Sequence, residues 1–235
     1  HPKAKMCWYA RSKNRECFLR RPSHLPPQVW SNAHYSSEEN LLLHEKMLSM
    51  QFVLASQSPA RLRILREAGI DPIVCVSEVD EDAVLEAIPY ASAEEKVRAL
   101  ATAKGHCVAS AIVEGRINVP EAGKLPRECV LVACDSMLES GGKLLGKPHD
   151  PQTALTRVKE LSMSQAVLWS GHHLVHLREN STGWEIIAQS TRSCATQICF
   201  GAISEEEAAA YVASGEPLEV AGSFTIDGLG GAFID

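Results

Sequence analysis

The sequence predicts an α/β protein, and three observations lead there. Short apolar runs of strand length alternate, from residue 51 onward, with segments that open on a Ser or Asp cap and carry a helical apolar period. One run, Cys129-Val130-Leu131-Val132-Ala133-Cys134, is apolar at every position, as expected of a strand covered on both faces. With 45% hydrophobic and 22% charged residues among 235, the chain has enough apolar material to build a core. That composition excludes disorder throughout, and no stretch approaches the roughly 20 apolar residues of a membrane span. A net charge of −6 gives no global signature of nucleic-acid binding.

The charge is uneven. Residues 1–50 hold eight Lys/Arg against four acids, a net of +4, which leaves −10 for the remainder. This segment also carries Pro22, Pro26 and Pro27 and no sustained apolar period, so it reads as a disordered or non-homologous extension. Its basic, acid-poor composition keeps organellar targeting as the alternative, although the amphipathic pattern of a transit peptide is missing. Of the eight cysteines, Cys75, Cys129, Cys134 and Cys199 lie inside apolar runs, and no C-x-x-C pair occurs. Reduced thiols and a cytoplasmic setting are the expectation.

Phe52–Ala55 predicts the first strand. Ser58 is a good N-cap and Pro59 suits the first helical position, with Leu62, Leu65 and Ala68 forming a stripe closed by Gly69. A strand entering a Ser-capped helix with Arg61 beside it suits an anion, though an ordinary capped helix has the same letters. Ile70–Val76 predicts a second strand, followed by the acidic stretch Glu78, Asp80, Glu81 and Asp82. That stretch is either a solvated loop or a source of oxygen ligands for a hard cation.

Ser92 with Glu95 forms a capping box that opens a helix with the stripe Val97, Leu100, Ala101, Val108 and Ala111. Lys104 falls on that apolar stripe, where an ammonium must snorkel or meet an anion. Residues 113–127, with Gly115, Pro120, Gly123 and Pro126, read as a loop. Asp135 and Ser136 directly follow the apolar run at 129–134. A carboxylate at the carboxyl end of a buried strand is where open α/β sheets place chemistry, and it is equally where a strand simply meets solvent.

Met137–Leu145, with Gly141-Gly142, predicts a hairpin that leads to Gly146-Lys147-Pro148. The Walker spacing is absent there. Asp150 and Pro151 open a helix with Leu155, Val158 and Leu161 on one face. Ala166–Leu177 predicts a strand with His172, Leu174 and His176 on one side and His173 on the other. A zinc site on His172 and His176 lacks any further ligand spacing. Trp184–Gln189 and Thr191–Phe200 predict two more strands, and Ser204 with Glu207 caps a helix that stops at Gly215. The glycine-rich stretch Ala221–Gly231 either wraps a planar ligand or makes tight turns.

Three blocks in register then narrow the reading. Leu54-Ala55-Ser56-Gln57-Ser58-Pro59-Ala60-Arg61, Ala133-Cys134-Asp135-Ser136 with Gly146-Lys147-Pro148, and Gly215-Glu216-Pro217 with Ala221-Gly222-Ser223-Phe224 together resemble the Maf family. The resemblance runs from residue 51 to 235. It implies a Maf/inosine-triphosphatase-like α/β fold, a mixed twisted sheet flanked by helices with a central cleft. It also implies hydrolysis of a nucleoside triphosphate between the α and β phosphates, including the removal of modified nucleotides. By the same resemblance, Ser56, Ser58, Arg61, Lys104 and Lys147 bind the substrate's phosphates. Asp135 is the proton acceptor, and Glu81 with Asp135 holds a divalent cation, magnesium or manganese; since one carboxylate is not easily both full metal ligand and strong base, the division of labour stays open.

The family's subgroups differ at three positions, which here read Ala60, Ser136 and Asp227. The dTTP/UTP group has Arg, Thr and Gln there, and the 7-methyl-GTP group has Trp, Gln and Glu. Neither pattern fits, so the base preference stays open, with Asp227 suited to accepting hydrogen bonds from the N–H edge of a guanine-like base. The family continues beyond the glycine-rich region, so the domain at 51–235 reads as C-terminally truncated, leaving core surface uncovered at the expense of stability, dimerisation or activity, with a homodimer as the expected assembly. The rival to an enzyme is a Maf-like protein that binds nucleotide without turning it over. No partner among membranes or nucleic-acid polymers is implied.

Overall fold

The computed structural model describes residues 51–117 and 128–235. The expected extension at 1–50 and most of the expected loop at 113–127 lie outside the described residues. Strands are β1 (Gln51–Ala55), β2 (Ile73–Val74), β3 (Glu128–Ser140), β4 (Lys143–Leu145), β5 (Gln165–Asn180) and β6 (Gly183–Cys199). Helices are α1 (Pro59–Glu67), α2 (Glu81–Glu86), α3 (Ala93–Val113), α4 (Pro151–Leu161) and α5 (Glu205–Ala213). Strand neighbours follow the order β2-β1-β3-β5-β6, with β4 on β3. β1 pairs in parallel with β2 and β3, and β3 pairs antiparallel with β4, so the α/β class with a mixed sheet is as expected. No helix among the described residues is long and apolar enough to cross a membrane.

The chain divides into two units, one of residues 51–135 and 170–193 and the other of residues 136–169 and 194–235. The core of the first is built from β1, β3, β5 and α3: Val53, Ala55, Leu131, Ala133, Val175 and Leu177 meet Val108, Ala109 and Ile112. α3 carries the expected capping box, in which Ser92 accepts from the Glu95 N–H while the Glu95 carboxylate accepts from the Ser92 N–H at 2.8 Å. Gly105 and Gly171 let this helix lie close on β5. A Cβ at Gly171 would stand 2.2 Å from the Val97 carbonyl oxygen, and one at Gly105 would stand 2.4 Å from His173 Cδ2.

The second unit has two smaller clusters. α4 and α5 meet through Ala154, Val158, Ala208, Tyr211 and Val212, while Leu138, Leu161, Ala166 and Phe200 form the other. The glycine-rich stretch contains short 3₁₀ turns at Ala221–Ser223 and Leu229–Phe233, preceded by another at Glu216–Glu219. The tail is fastened: Ile234 bridges to Phe200 and the Asp235 N–H donates to the Cys199 carbonyl.

Several elements differ from expectation. The second strand shrinks to Ile73–Val74. The acidic stretch is not all loop, because Asp80 caps α2, its carboxylate accepting from the Ala83 N–H at 3.0 Å, and Glu81 and Asp82 fill the first turn, where the helix dipole favours them. β3 runs on through Asp135 to Ser140, which places Asp135 mid-strand rather than at a strand end, and Val130 and Val132 are only half-buried. β6 is one strand where two were expected, since nothing at Ser190 turns the chain. α1 buries none of its residues, its stripe notwithstanding.

Candidate active site

Seven of the residues singled out by sequence lie in the first unit. β1 ends at Ala55, and the chain turns through Ser56 into α1. The Ser56 hydroxyl accepts from the Ser58 N–H at 3.2 Å and from Arg61 Nη1 at 3.0 Å. Arg61 Nη1 also donates to the carbonyl of Cys134 at 2.8 Å, so a residue of the first helical turn is fastened to the strand that bears Asp135. Ser58 caps α1 by accepting from the Arg61 N–H at 3.5 Å. Ala60 sits half-buried in the same turn.

Lys104 does not snorkel. Its ammonium donates to Asp135 Oδ1 at 2.6 Å and lies 2.9 Å from Glu81 Oε1. The Lys104 side chain is 12% exposed and that of Asp135 only 9%, whereas Glu81 is half in solvent at 51%. Burial works against both buried charges. For Asp135 burial is the largest influence and raises its carboxyl above the ordinary range, with the Lys104 charge pulling the other way. For Lys104 burial again comes first and favours the neutral amine, but the Asp135 and Glu81 carboxylates outweigh it, and the ammonium is held above its usual value. Removing either partner of so enclosed a pair would strand a charge.

Two carboxylates thus converge on one cation, and among the described residues no group of three His, Cys, Asp or Glu side chains forms a metal site. The donors suit a hard divalent ion that keeps water and phosphate oxygens as its other ligands, as magnesium does. His172, on β5, is half-buried; burial first and the Arg61 charge second hold its imidazole below the usual range. All six described cysteines are free thiols, and burial raises those of Cys75, Cys129 and Cys134.

Lys147, Ser136 and Asp227 belong to the second unit. Lys147 is exposed between Gly146 and the buried Pro148. The Gly146 carbonyl accepts from Arg157 Nη1 at 2.7 Å and from the Gly222 N–H at 3.1 Å, which fixes the backbone beside Lys147. Ser136 is half-buried on β3. Asp227 is exposed, and its N–H donates to the Thr225 hydroxyl at 3.3 Å. The glycine-rich turns just after it hang on Glu216, whose carboxylate accepts from the N–H groups of Leu229 at 2.9 Å and Gly230 at 3.0 Å.

Sequence reasoning missed the backbone carbonyl of Cys134 as the anchor for Arg61, for which no side-chain letter exists. It also passed over Gly105, against which His173 packs. Here a signal was present: a glycine in the middle of a long helix, next to the one lysine on its apolar stripe.

A family profile described as Maf-like protein matches residues 51–235. A protein of Nocardia farcinica named nucleoside triphosphate pyrophosphatase is 46% identical over 189 residues, covering 80% of this chain and 82% of that protein. Proteins of the same name from Saccharopolyspora erythraea and Mycobacterium sp. (strain JLS) are 45% and 41% identical, covering 79% and 80% of this chain and 82% and 84% of their own lengths. Among solved structures, that of a HAM1 protein from Coxiella burnetii matches at a TM-score of 0.30 and 15% identity, over 64% of this chain and 73% of that one. A match so loose carries no argument.

Proposed function

Because the chain belongs to the Maf family, we propose that it is a hydrolase that cleaves nucleoside triphosphates between the α and β phosphates, yielding a nucleoside monophosphate and pyrophosphate. The observation that carries this reading is the cluster in which the buried Asp135 and the half-exposed Glu81 meet Lys104, beside an Arg61 fastened to the Cys134 carbonyl. Such a cluster serves phosphoryl chemistry, which needs positive charge around phosphorus and one carboxylate able to take a proton. The relatives' shared name does not favour the rival of a nucleotide binder without turnover.

In the proposed reaction, the start of α1 with Ser56, Ser58 and Arg61 grips the phosphates, as helix starts grip anions. Lys104 and Lys147 add positive charge. Water attacks phosphorus at the α–β bridge, Asp135 accepts its proton, the bridging P–O bond breaks, and pyrophosphate leaves with the electron pair. Burial raises the Asp135 carboxyl above the ordinary range, which makes its carboxylate a better base than an exposed aspartate. Glu81 and Asp135 would hold a divalent cation, magnesium or manganese, which neutralises phosphate charge when bound.

The finer points belong to the same proposal. Asp227, Ala60 and Ser136 set the base preference, with Asp227 accepting from a guanine-like or methylated N–H edge. The 51–235 region acts as the catalytic domain, in a cytoplasmic setting that suits its free thiols. The test is pyrophosphate release from a panel of canonical and modified triphosphates, with and without Mg²⁺. Release from at least one of them is expected. Tight nucleotide binding with no release supports the rival, and best turnover of a pyrimidine overturns the role given to Asp227.

A further inference from the structure

A second set of polar side chains ties α3, the helix of Lys104, to β6. Three rungs join them: Ser193 Oγ donates to Glu94 Oε1 at 2.6 Å, the hydroxyls of Thr102 and Thr191 lie 3.2 Å apart, and His106 Nε2 is 2.9 Å from Gln189 Oε1. Positions 189, 191 and 193 alternate along the strand and so share one face. The middle rung continues inward. Thr191 Oγ1 also lies 2.7 Å from His173 Nδ1, and His173 is 2% exposed. The His106 ring meets the His173 ring edge-on, at 5.0 Å and 84°.

This chain of hydrogen bonds closes on the helix it started from. His173 lies against Gly105, directly after Lys104, and the next neighbour of that glycine is Ala133, 3.4 Å from where a Cβ would stand. Ala133 precedes Asp135 by two residues on β3 and so shares its face. The helix is therefore held around Lys104 by Thr102 on one side and by the seat of Gly105 on the other. Apolar packing alone leaves a helix free to slide by fractions of an ångström, whereas a hydroxyl bridging two partners is directional.

We infer that Thr191 and His173 are positioning residues, and that the Thr102–Thr191–His173 chain holds α3 at the depth where Lys104 reaches Asp135. The inference rests on the catalytic reading of Lys104 and Asp135. Most of the phosphate grip, Ser56, Ser58 and Arg61, stands at the turn from β1 into α1, outside this chain, so losing the clamp acts more on the chemical step than on substrate affinity.

The test compares Thr191→Val with Thr191→Ser in the full chain, using the triphosphate that the unaltered protein turns over best. Rates are corrected for the folded fraction. Displacement of a reacting group by about 1 Å costs up to about 100-fold in rate, so Thr191→Val is expected to lower kcat about tenfold with KM within about twofold. The Lys104 ammonium resonance in a ¹H–¹⁵N spectrum, assigned by its loss in Lys104→Met, should shift or broaden in Thr191→Val. Thr191→Ser should restore both. Unchanged kcat and resonance in the valine variant, a rise in KM alone, or a serine variant as impaired as valine overturns the inference. If the unaltered protein releases no pyrophosphate from any triphosphate, the proposed function fails, and the ammonium resonance by itself decides whether the clamp positions Lys104.

Discussion

The two units hold their polar side chains in different ways. In the unit of residues 51–135 and 170–193, Asp135 stands within β3 and Lys104 within α3, each buried, each already engaged by the other. In the unit of residues 136–169 and 194–235, Lys147 and Asp227 are exposed on short connections, and what is fixed there is backbone: the Gly146 carbonyl by two donors, the turns after Asp227 by Glu216. The first arrangement sets a geometry among charged atoms. The second sets the course of a chain and leaves the side chain room to move. Chemistry at phosphorus needs the former, and accommodation of a variable base is served by the latter.

Asp135→Asn breaks the contrast most sharply. It keeps the shape of the side chain and removes both the charge and the base, so pyrophosphate release should fall by about 10²–10⁴-fold while nucleotide binding, measured by titration calorimetry, persists. The same carboxyl predicts a pH dependence. Its folded pKa is raised, above all by burial, so activity that needs it ionised falls off on the acid side at a higher pH than an ordinary aspartate would give. The sign for stability is opposite to that of a salt-bridged surface aspartate. The folded state binds this proton more tightly than the unfolded state, so the cost of ionising Asp135 appears as pH rises through its folded pKa and is relieved below it. Rate profiles and melting curves of the unaltered protein and of Asp135→Asn across mildly acidic pH check both.

Gly105→Ala probes the first unit without touching a charge. The new methyl would meet His173 Cδ2 at 2.4 Å, with Ala133 behind it, and the helix would have to lift. Overpacking of this kind costs about 1–3 kcal/mol, read as a lowered midpoint in urea.

Glu216→Gln is the counterpart in the second unit and the smallest effect. Burial pushes the Glu216 carboxyl up, but the N–H groups of Gly230 and Leu229 more than offset it, so the folded pKa is lowered. Its contribution is present at neutral pH and fades as pH falls through the folded value. The variant should melt about 2–4 °C lower for each kcal/mol lost and discriminate less between bases, with kcat for the best substrate close to unchanged.

Much of this was readable in advance where a local rule applied. Ser58-Pro59, Ser92 with Glu95, Asp150-Pro151 and Ser204 with Glu207 each open a helix where their letters say, because a cap is settled within a few residues. Local rules failed where the chain's neighbours decided. β3 ran past Asp135 because β4 is there to pair with its far end, and Glu81, in the first turn of α2, found Lys104 to face. The oddness of Lys104 on an apolar stripe was visible, but the identity of its anion was not.

Letters alone, then, determined the class of the fold, the caps and the family, since these depend on short-range pattern and on blocks kept in order. Which charge meets which was decided by tertiary structure. Lys104 and Asp135 are 31 positions apart, and Thr102 and Thr191 are 89 apart. No periodicity spans such distances. Only packing α3 onto β3, β5 and β6, with glycine where backbone and ring come too close for a methyl, places an ammonium and a carboxylate within 2.6 Å of each other.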